Sequence, residues 1–342
     1  MKPLILLTLF SCLILMQCVS LRDLSPSASK IQNIRHHRLV PNCPSYSDIG
    51  LVNQTFPFKL NFTSFSSTKT SAKTDEYGNI KSINIINEQY LPLSISCLTR
   101  LHSLHVEGTT FPTFYFYVPM FVRQLSSSLV HLVIKNTSFN ELPYTIGKFR
   151  RLKSLEITSA DLQSVSDLIG ELSSLETLRL SNNSLSSIPS TIIKNSRLTT
   201  FDINDNKRIQ SIQSLNGHPY LVTLSADNCS IEEIPTDLPK LVNLYVRNNK
   251  IHDVSKIGTL GNGTDERKNF DFSKNSIRYL TPFIRNVKKL CYLNLDYNKL
   301  DVLPMDIYQV KTLKHLWIRN NNFKNETINE IKTNMINTTI DA

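Results

Sequence analysis

LETLRLSNNSL begins at Leu175, LTTFDINDNKRI at Leu198 and LVTLSADNCSI at Leu221, three in-phase copies of one pattern. Moving outward, the pattern starts again at Leu152 (LKSLEITSADL) and Leu129 (LVHLVIKNTSF) on one side. On the other side it starts at Leu241 (LVNLYVRNNKI), Leu290 (LCYLNLDYNKL) and Leu313 (LKHLWIRNNNF). Weaker copies begin at Ile80 (IKSINIINEQY), Leu101 (LHSLHVEGTTF) and Arg267 (RKNFDFSKNSI). The step is 23 residues from Leu129 through Leu221 and again from Leu290 to Leu313, which gives about eleven copies of one supersecondary unit. Within each copy the fourth and sixth positions are apolar and alternate with polar residues, the signature of a short strand with one buried face. A single strand cannot bury that face alone, so neighbouring copies must stack into a parallel sheet. At about 4.8 Å per strand, eleven strands span roughly 50 Å.

The ninth position carries Asn183, Asn206, Asn249, Asn275, Asn298 and Asn321, where the chain leaves the strand. An amide there can satisfy orphaned backbone donors and acceptors of adjacent copies, a structural Asn ladder. Cys229 takes the same slot as a small, weak donor, and Thr109, Thr137 and Ala160 replace Asn in early copies, predicting a weaker ladder at that end. These residues match LxxLxLxxNxL, and the chain resembles the leucine-rich-repeat family. The linkers ELPYTIGKFRRL after Asn140 and SIPSTIIKNSRL after Ser186 resemble its short LPxxI-type repeats. The resemblance implies an α/β leucine-rich-repeat solenoid: a curved horseshoe, a parallel β-sheet on the concave face and short helical turns on the convex face. It also implies protein recognition through the concave face, with no catalysis and no cofactor. The family's cysteine-rich C-terminal cap and the plant-type cap around Trp-x-Gly are both absent from the pattern.

The chain has 342 residues and a formal net charge of +10, with 40% hydrophobic residues, enough for a packed core and too many for wholesale disorder. Lys2 is followed by PLILLTLFSCLILMQCVS, which reads as a secretory signal peptide cleaved near Ser20, with an uncleaved anchor as the alternative. No other stretch reaches the length of a membrane span, so the mature chain is expected to be secreted with no stable span. The expected organisation is a signal peptide over 1–20, an N-terminal capping region over 21–79, about eleven repeats over 80–323 and a C-terminal tail over 324–342. The tail offers only a polar helix or loop. Cys43 and Cys97 are expected to staple the N-terminal cap by a disulfide. Cys229 and Cys291 lie three strands apart, roughly 14 Å, beyond the reach of a bridge, and read as free thiols.

The third, fifth, seventh and eighth positions point away from the core. In the middle copies they are small and polar; in the last copies they are Tyr245, Arg247, Asp271, Tyr292, Asp296, Tyr297, His315, Trp317 and Arg319. Tyr, Trp and Arg dominate interface hot spots, so these residues form a candidate partner-binding patch. Alternatively, Trp317 is covered by the tail as part of a cap. His102, His105 and His131 fall on adjacent early strands with only Glu107 near, which reads as solvated histidines rather than a metal site. Arg100, Arg151, Arg197, Lys240 and Lys289 recur just before the first Leu and would line one edge, where they could hold an anionic glycan or simply suit an exposed turn. Sequons occur at Asn53, Asn61, Asn136, Asn182, Asn228, Asn262, Asn325 and Asn337, candidate glycosylation sites near the frequency chance would give. Arg35–Arg38 (RHHR) resembles a dibasic processing site, a pattern that chance supplies easily. No catalytic motif is present, and a nucleic-acid partner fits poorly with export. The sequence therefore predicts a non-catalytic, extracellular, protein-binding solenoid. A matrix or anionic-carbohydrate binder, or an intracellular scaffold if the N-terminal run is not a signal, are the alternatives.

Overall fold

The chain divides into two compact units, 1–44 and 45–342. The computed structural model describes Cys43, residues 47–110 and 119–342, and the side chains of 119–121 are excepted. The expected signal peptide, the basic stretch from Lys30 and Arg35–Arg38 lie outside the described residues. Within 45–342, α1 (Asp48–Thr55) is followed by β1 (Ser71–Thr74), which pairs antiparallel with β2 (Ile80–Ile86). Then come β3 (Ser103–Glu107), α2 (Pro119–Leu125), β4 (His131–Lys135), the short β5 (Glu141–Leu142), β6 (Ser154–Thr158) and the short β7 (Ser164–Val165). One strand per copy follows: β8 (Thr177–Arg179), β9 (Thr200–Asp202), β10 (Thr223–Ser225), β11 (Asn243–Tyr245), β12 (Lys268–Asp271), β13 (Leu290–Asn294) and β14 (His315–Trp317). α3 (Asn325–Asn334) and β15 (Thr339–Asp341) end the chain. Apart from the β5–β7 pair, these strands form one sheet in sequence order, parallel from β2 onward. The leucines of successive copies align in register, Leu155 beside Leu178 and Leu224 beside Leu244, and one hydrophobic core runs from Leu51 to Met335.

What stitches the strands together is the ninth-position amide. Asn206 is fully buried; its Nδ2 donates to Leu180 O of the preceding copy at 2.9 Å and to Ile203 O of its own copy at 2.9 Å. Its Oδ1 accepts from Leu185 N at 3.0 Å. Asn183, Asn249, Asn275, Asn298 and Asn321 repeat this arrangement, each donating back to the copy before. Thr137 Oγ1 donates to Thr109 O at 2.7 Å, so a hydroxyl keeps one of the early bonds. Cys229 keeps weak thiol contacts with Ile203 O at 3.4 Å and Asp227 O at 3.6 Å, and burial pushes that thiol up to about 11.

The residue before the ladder takes the left-handed conformation in all eleven copies: Asn87, Gly108, Asn136, Ser159, Asn182, Asp205, Asn228, Asn248, Lys274, Tyr297 and Asn320. Asn, Asp and Gly tolerate that backbone best, and they supply eight of the eleven. Short 3₁₀ turns such as Tyr144–Lys148, Asp167–Glu171, Ser190–Lys194 and Met305–Gln309 return the chain along the opposite side. They pack so closely that a Cβ on Gly170 would lie 2.5 Å from Thr191 O. The long step from Leu241 to Arg267 is taken up by a loop around Lys268, whose buried ammonium donates to Thr264 O, Glu266 O and Lys288 O.

Both ends of the core are closed. Asp48 on α1 accepts from Ile80 N at 2.7 Å and pins the start of β2. At the other end Ile331 of α3 is buried, and β15 pairs parallel with β14, Leu316 opposite Ile340. The tail thus contains a strand as well as the expected helix, because three residues suffice to satisfy the open edge of β14. No helix among the described residues is long and apolar enough to cross a membrane. Cys43 and Cys97 are both disulfide-bonded, and Cys229 and Cys291 are free.

Two tests follow from the packing. Asn206→Ala leaves buried carbonyls and an amide unpaired and should cost about 1–3 kcal/mol in urea denaturation, whereas Cys229→Asn completes the ladder and should gain about 1 kcal/mol. His218, fully buried where other copies place Leu172 or Leu238, has Nε2 without a hydrogen-bond partner among the described residues, and burial lowers its pKa below the ordinary 6.5. The folded chain then holds it neutral, the unfolded chain binds more protons below pH 6.5, and stability falls as the pH drops through that value. His218→Leu should flatten the melting temperature between about pH 7 and pH 5, the window set by this depressed pKa.

Candidate functional site

The fifth position of each copy faces away from the core. From β9 to β15 the sheet register sets Asp202, Ser225, Tyr245, Asp271, Asn294, Trp317 and Asp341 side by side in one row. Rigid parallel strands fix this row, because each backbone is held by both neighbours. At its C-terminal end three aromatic rings meet. His315 stacks on Trp317 with centroids 3.8 Å apart, and Tyr292, beside His315 in register, stacks with Trp317 at 6.4 Å. Tyr292 remains 44% exposed and Trp317 is half-buried, so these rings are open to a partner on one face.

The tail shapes this end without covering it. Asp341 accepts from His315 Nε2 at 2.9 Å and from Arg319 at 2.7 Å. Those two partners, His315 first, hold the Asp341 carboxyl below the usual carboxylate range. The Arg319 amide donates to Asp296 at 2.7 Å, and the Arg247 amide donates to Asp227 at 2.6 Å. Burial raises the pKa of Asp202, Asp227 and Asp296, only partly offset by those amides and by neighbouring arginines.

Most of the expected patch therefore shares one surface: Tyr245, Arg247, Asp271, Tyr292, Asp296, His315, Trp317 and Arg319. Tyr297 does not. It occupies the left-handed turn, with Lys274 Nζ 5.7 Å over its ring. Sequence reasoning missed Asp341, since the tail carries no motif and only the pairing of β15 with β14 brings it beside Trp317.

The other sequence-derived candidates resolve locally. His105 is half-buried against Glu107 at 3.3 Å rather than solvated, and burial lowers its pKa. His102 Nδ1 lies 2.7 Å from Arg100 O. Among the described residues no three His, Cys, Asp or Glu side chains converge as metal ligands do. The edge residues Arg100, Arg151, Arg197, Lys240 and Lys289 are exposed, but Arg151 donates to Ser127 O, Lys240 to Gly263 O, and Lys289 lies 3.8 Å from Asp265. The sequon residues Asn53, Asn61, Asn136, Asn182, Asn262, Asn325 and Asn337 are exposed; Asn228 is half-buried and donates to Asp205.

A family model described as leucine-rich repeats in two copies matches residues 173–217. The chain has the leucine-rich-repeat solenoid fold. The leucine-rich-repeat architecture is shared with an internalin from Listeria monocytogenes, at 19% identity over 76% of this chain and 79% of that one, with a TM-score of 0.55. The plant peptide hormone receptor RGFR1, in complex with RGF2, gives 20% identity over 79% of this chain and a TM-score of 0.60. The Arabidopsis receptor kinase HAESA, in complex with the peptide hormone IDA and the co-receptor SERK1, gives 20% identity over 75% and a TM-score of 0.58. This chain spans 51% and 44% of those two receptor chains. No curated protein matches it.

Trp317 is the only tryptophan, so its emission reports on this site. Asp341→Asn removes the anchor of His315 and Arg319 and should shift that emission to the red. Asp306→Asn, which breaks the remote Arg285 pair, should leave the spectrum unchanged.

Proposed function

We propose that this leucine-rich-repeat solenoid is an extracellular, non-catalytic module that binds a protein or peptide through the third-, fifth- and seventh-position face of its last copies. The observation that carries the reading is the half-exposed stack of Tyr292, Trp317 and His315, with Arg319 and Asp341 at the same end, on strands each paired with both neighbours. Such residues supply hot-spot energy, and a preorganised sheet loses little entropy on docking. Export is supported by the N-terminal apolar run, the disulfide-bonded Cys43 and Cys97, and exposed sequons. The two plant receptors above are each described with a peptide hormone, which agrees with a peptide-sized ligand.

The test is a screen of the immobilised protein against extracellular protein domains, followed by variants. Tyr292→Ala with Trp317→Ala should weaken a specific binder at least about tenfold at unchanged melting temperature, the scale of hot-spot truncation. Arg151→Glu with Arg197→Glu on the edge should leave it unchanged. Binding lost only in the edge variant would move the partner site to the basic edge.

A further inference from the structure

The return side of the last copies, opposite the sheet face, carries an apolar patch. Tyr279 is 70% exposed, Phe283 55%, Val302 52% and Met305 78%. They form two pairs from consecutive copies. Tyr279 and Val302 both take the thirteenth position. Phe283 and Met305 stand on the 3₁₀ turns Pro282–Asn286 and Met305–Gln309, which Arg285 ties together by donating to Asp306 at 2.8 Å. Earlier turns expose one large apolar residue each, Tyr144, Leu168 and Ile193, and the turn just before the patch, Ile257–Thr259, exposes none. Four such residues together on a polar surface mark an interaction site.

Cations surround the patch. Arg278, Lys288, Lys299 and Lys311 have no ion pair among the described residues, while Arg285 is paired with Asp306 and Lys289 lies 3.8 Å from Asp265. Asp301 is the one unpaired acid beside them. Next to Tyr279 the surface opens into a recess of about 280 Å³ lined by Arg278, Tyr279, Lys299, Asp301 and Asn322. Two free cations against one carboxylate leave that recess net positive. This rim opposes a second copy of the chain, whose matching side would set like charges together. Four side chains also fall short of the roughly 800 Å² that each partner of a standard protein interface buries. Protruding apolar groups ringed by Lys and Arg suit an anionic bilayer instead: rings and thioether reach the boundary of the acyl chains while the cations meet lipid phosphates.

We propose that this side docks peripherally on an anionic phospholipid surface. Tyr279, Phe283, Val302 and Met305 enter the bilayer boundary, and Arg278 and Lys299 hold a lipid phosphate at the recess. Asp301 weakens that hold. Docking in this way needs no spanning helix and leaves the sheet face free for a partner. The two surfaces are independent, so the failure of either leaves the other standing.

The test is sedimentation of the full chain with vesicles of about one-third phosphatidylglycerol in phosphatidylcholine, against phosphatidylcholine alone. The acidic vesicles should bind at least about tenfold more tightly, and rising salt should weaken them. Arg278→Ala with Lys299→Ala, and separately Tyr279→Ser with Phe283→Ser, should each cost about tenfold at unchanged melting temperature, since all four side chains are exposed. Asp301→Asn should tighten binding. Phe283→Trp in a Trp317→Phe chain should shift its emission to the blue on acidic vesicles, which a purely electrostatic contact would not produce. Absence of vesicle binding, equal binding to neutral and acidic vesicles, or affinity untouched by both double variants overturns the proposal. Binding of soluble glycerol phosphate with no gain from vesicles would make the recess a small-anion site and overturn the lipid surface. Binding of polyglutamate through Tyr279 and Phe283, without vesicle binding, would give the patch to an acidic protein and overturn it equally.

Discussion

A strand of three to five residues cannot satisfy its own backbone or bury its own leucines, and the ninth-position amide is the interaction that resolves both problems. Each Asn donates to a carbonyl of the copy before it and accepts from an amide of that same preceding copy, two residues past that copy's ladder position. The bond therefore fixes strand separation, the exit from the strand and the entry to the return path together. Where the amide is missing, as at Cys229, packing of Ile203, Ala226 and Val246 has to hold the register. The ladder is thus the condition for every lateral alignment on the opposite face.

That dependence links stability to recognition. The residues proposed to meet a partner come from strands that make no long-range contacts except through their neighbours, so a patch spread over β9–β15 is only as well defined as the register beneath it. The left-handed residue in each copy serves the same end by turning the chain sharply before the ladder Asn. Asp202, Asp227 and Asp296 are half-buried, and each accepts from a backbone amide that holds its carboxylate close to the sheet.

Much of this was legible in the sequence because the period is explicit. Leu129 through Leu313 define strand direction, core side and outward side without any structure, and the outward list already contained Tyr292, His315, Trp317 and Arg319. Two features were hidden for physical reasons. Asp341 belongs to a strand recruited by an open edge, and edge pairing depends on geometry that three residues do not announce. The eighth position of Tyr297 was counted as outward, but the left-handed backbone it adopts, as in every copy, and the Lys274 ammonium over its ring depend on local turn geometry.

The central claim is that one particular face of the last copies receives the partner. Hydrogen–deuterium exchange of the full chain, alone and with a captured binder, tests it directly. The account predicts protection confined to the segments around Tyr245, Asp271, Tyr292 and Trp317. Protection of the turns carrying Arg151, Arg197 and Lys240, with those strands unchanged, would contradict it.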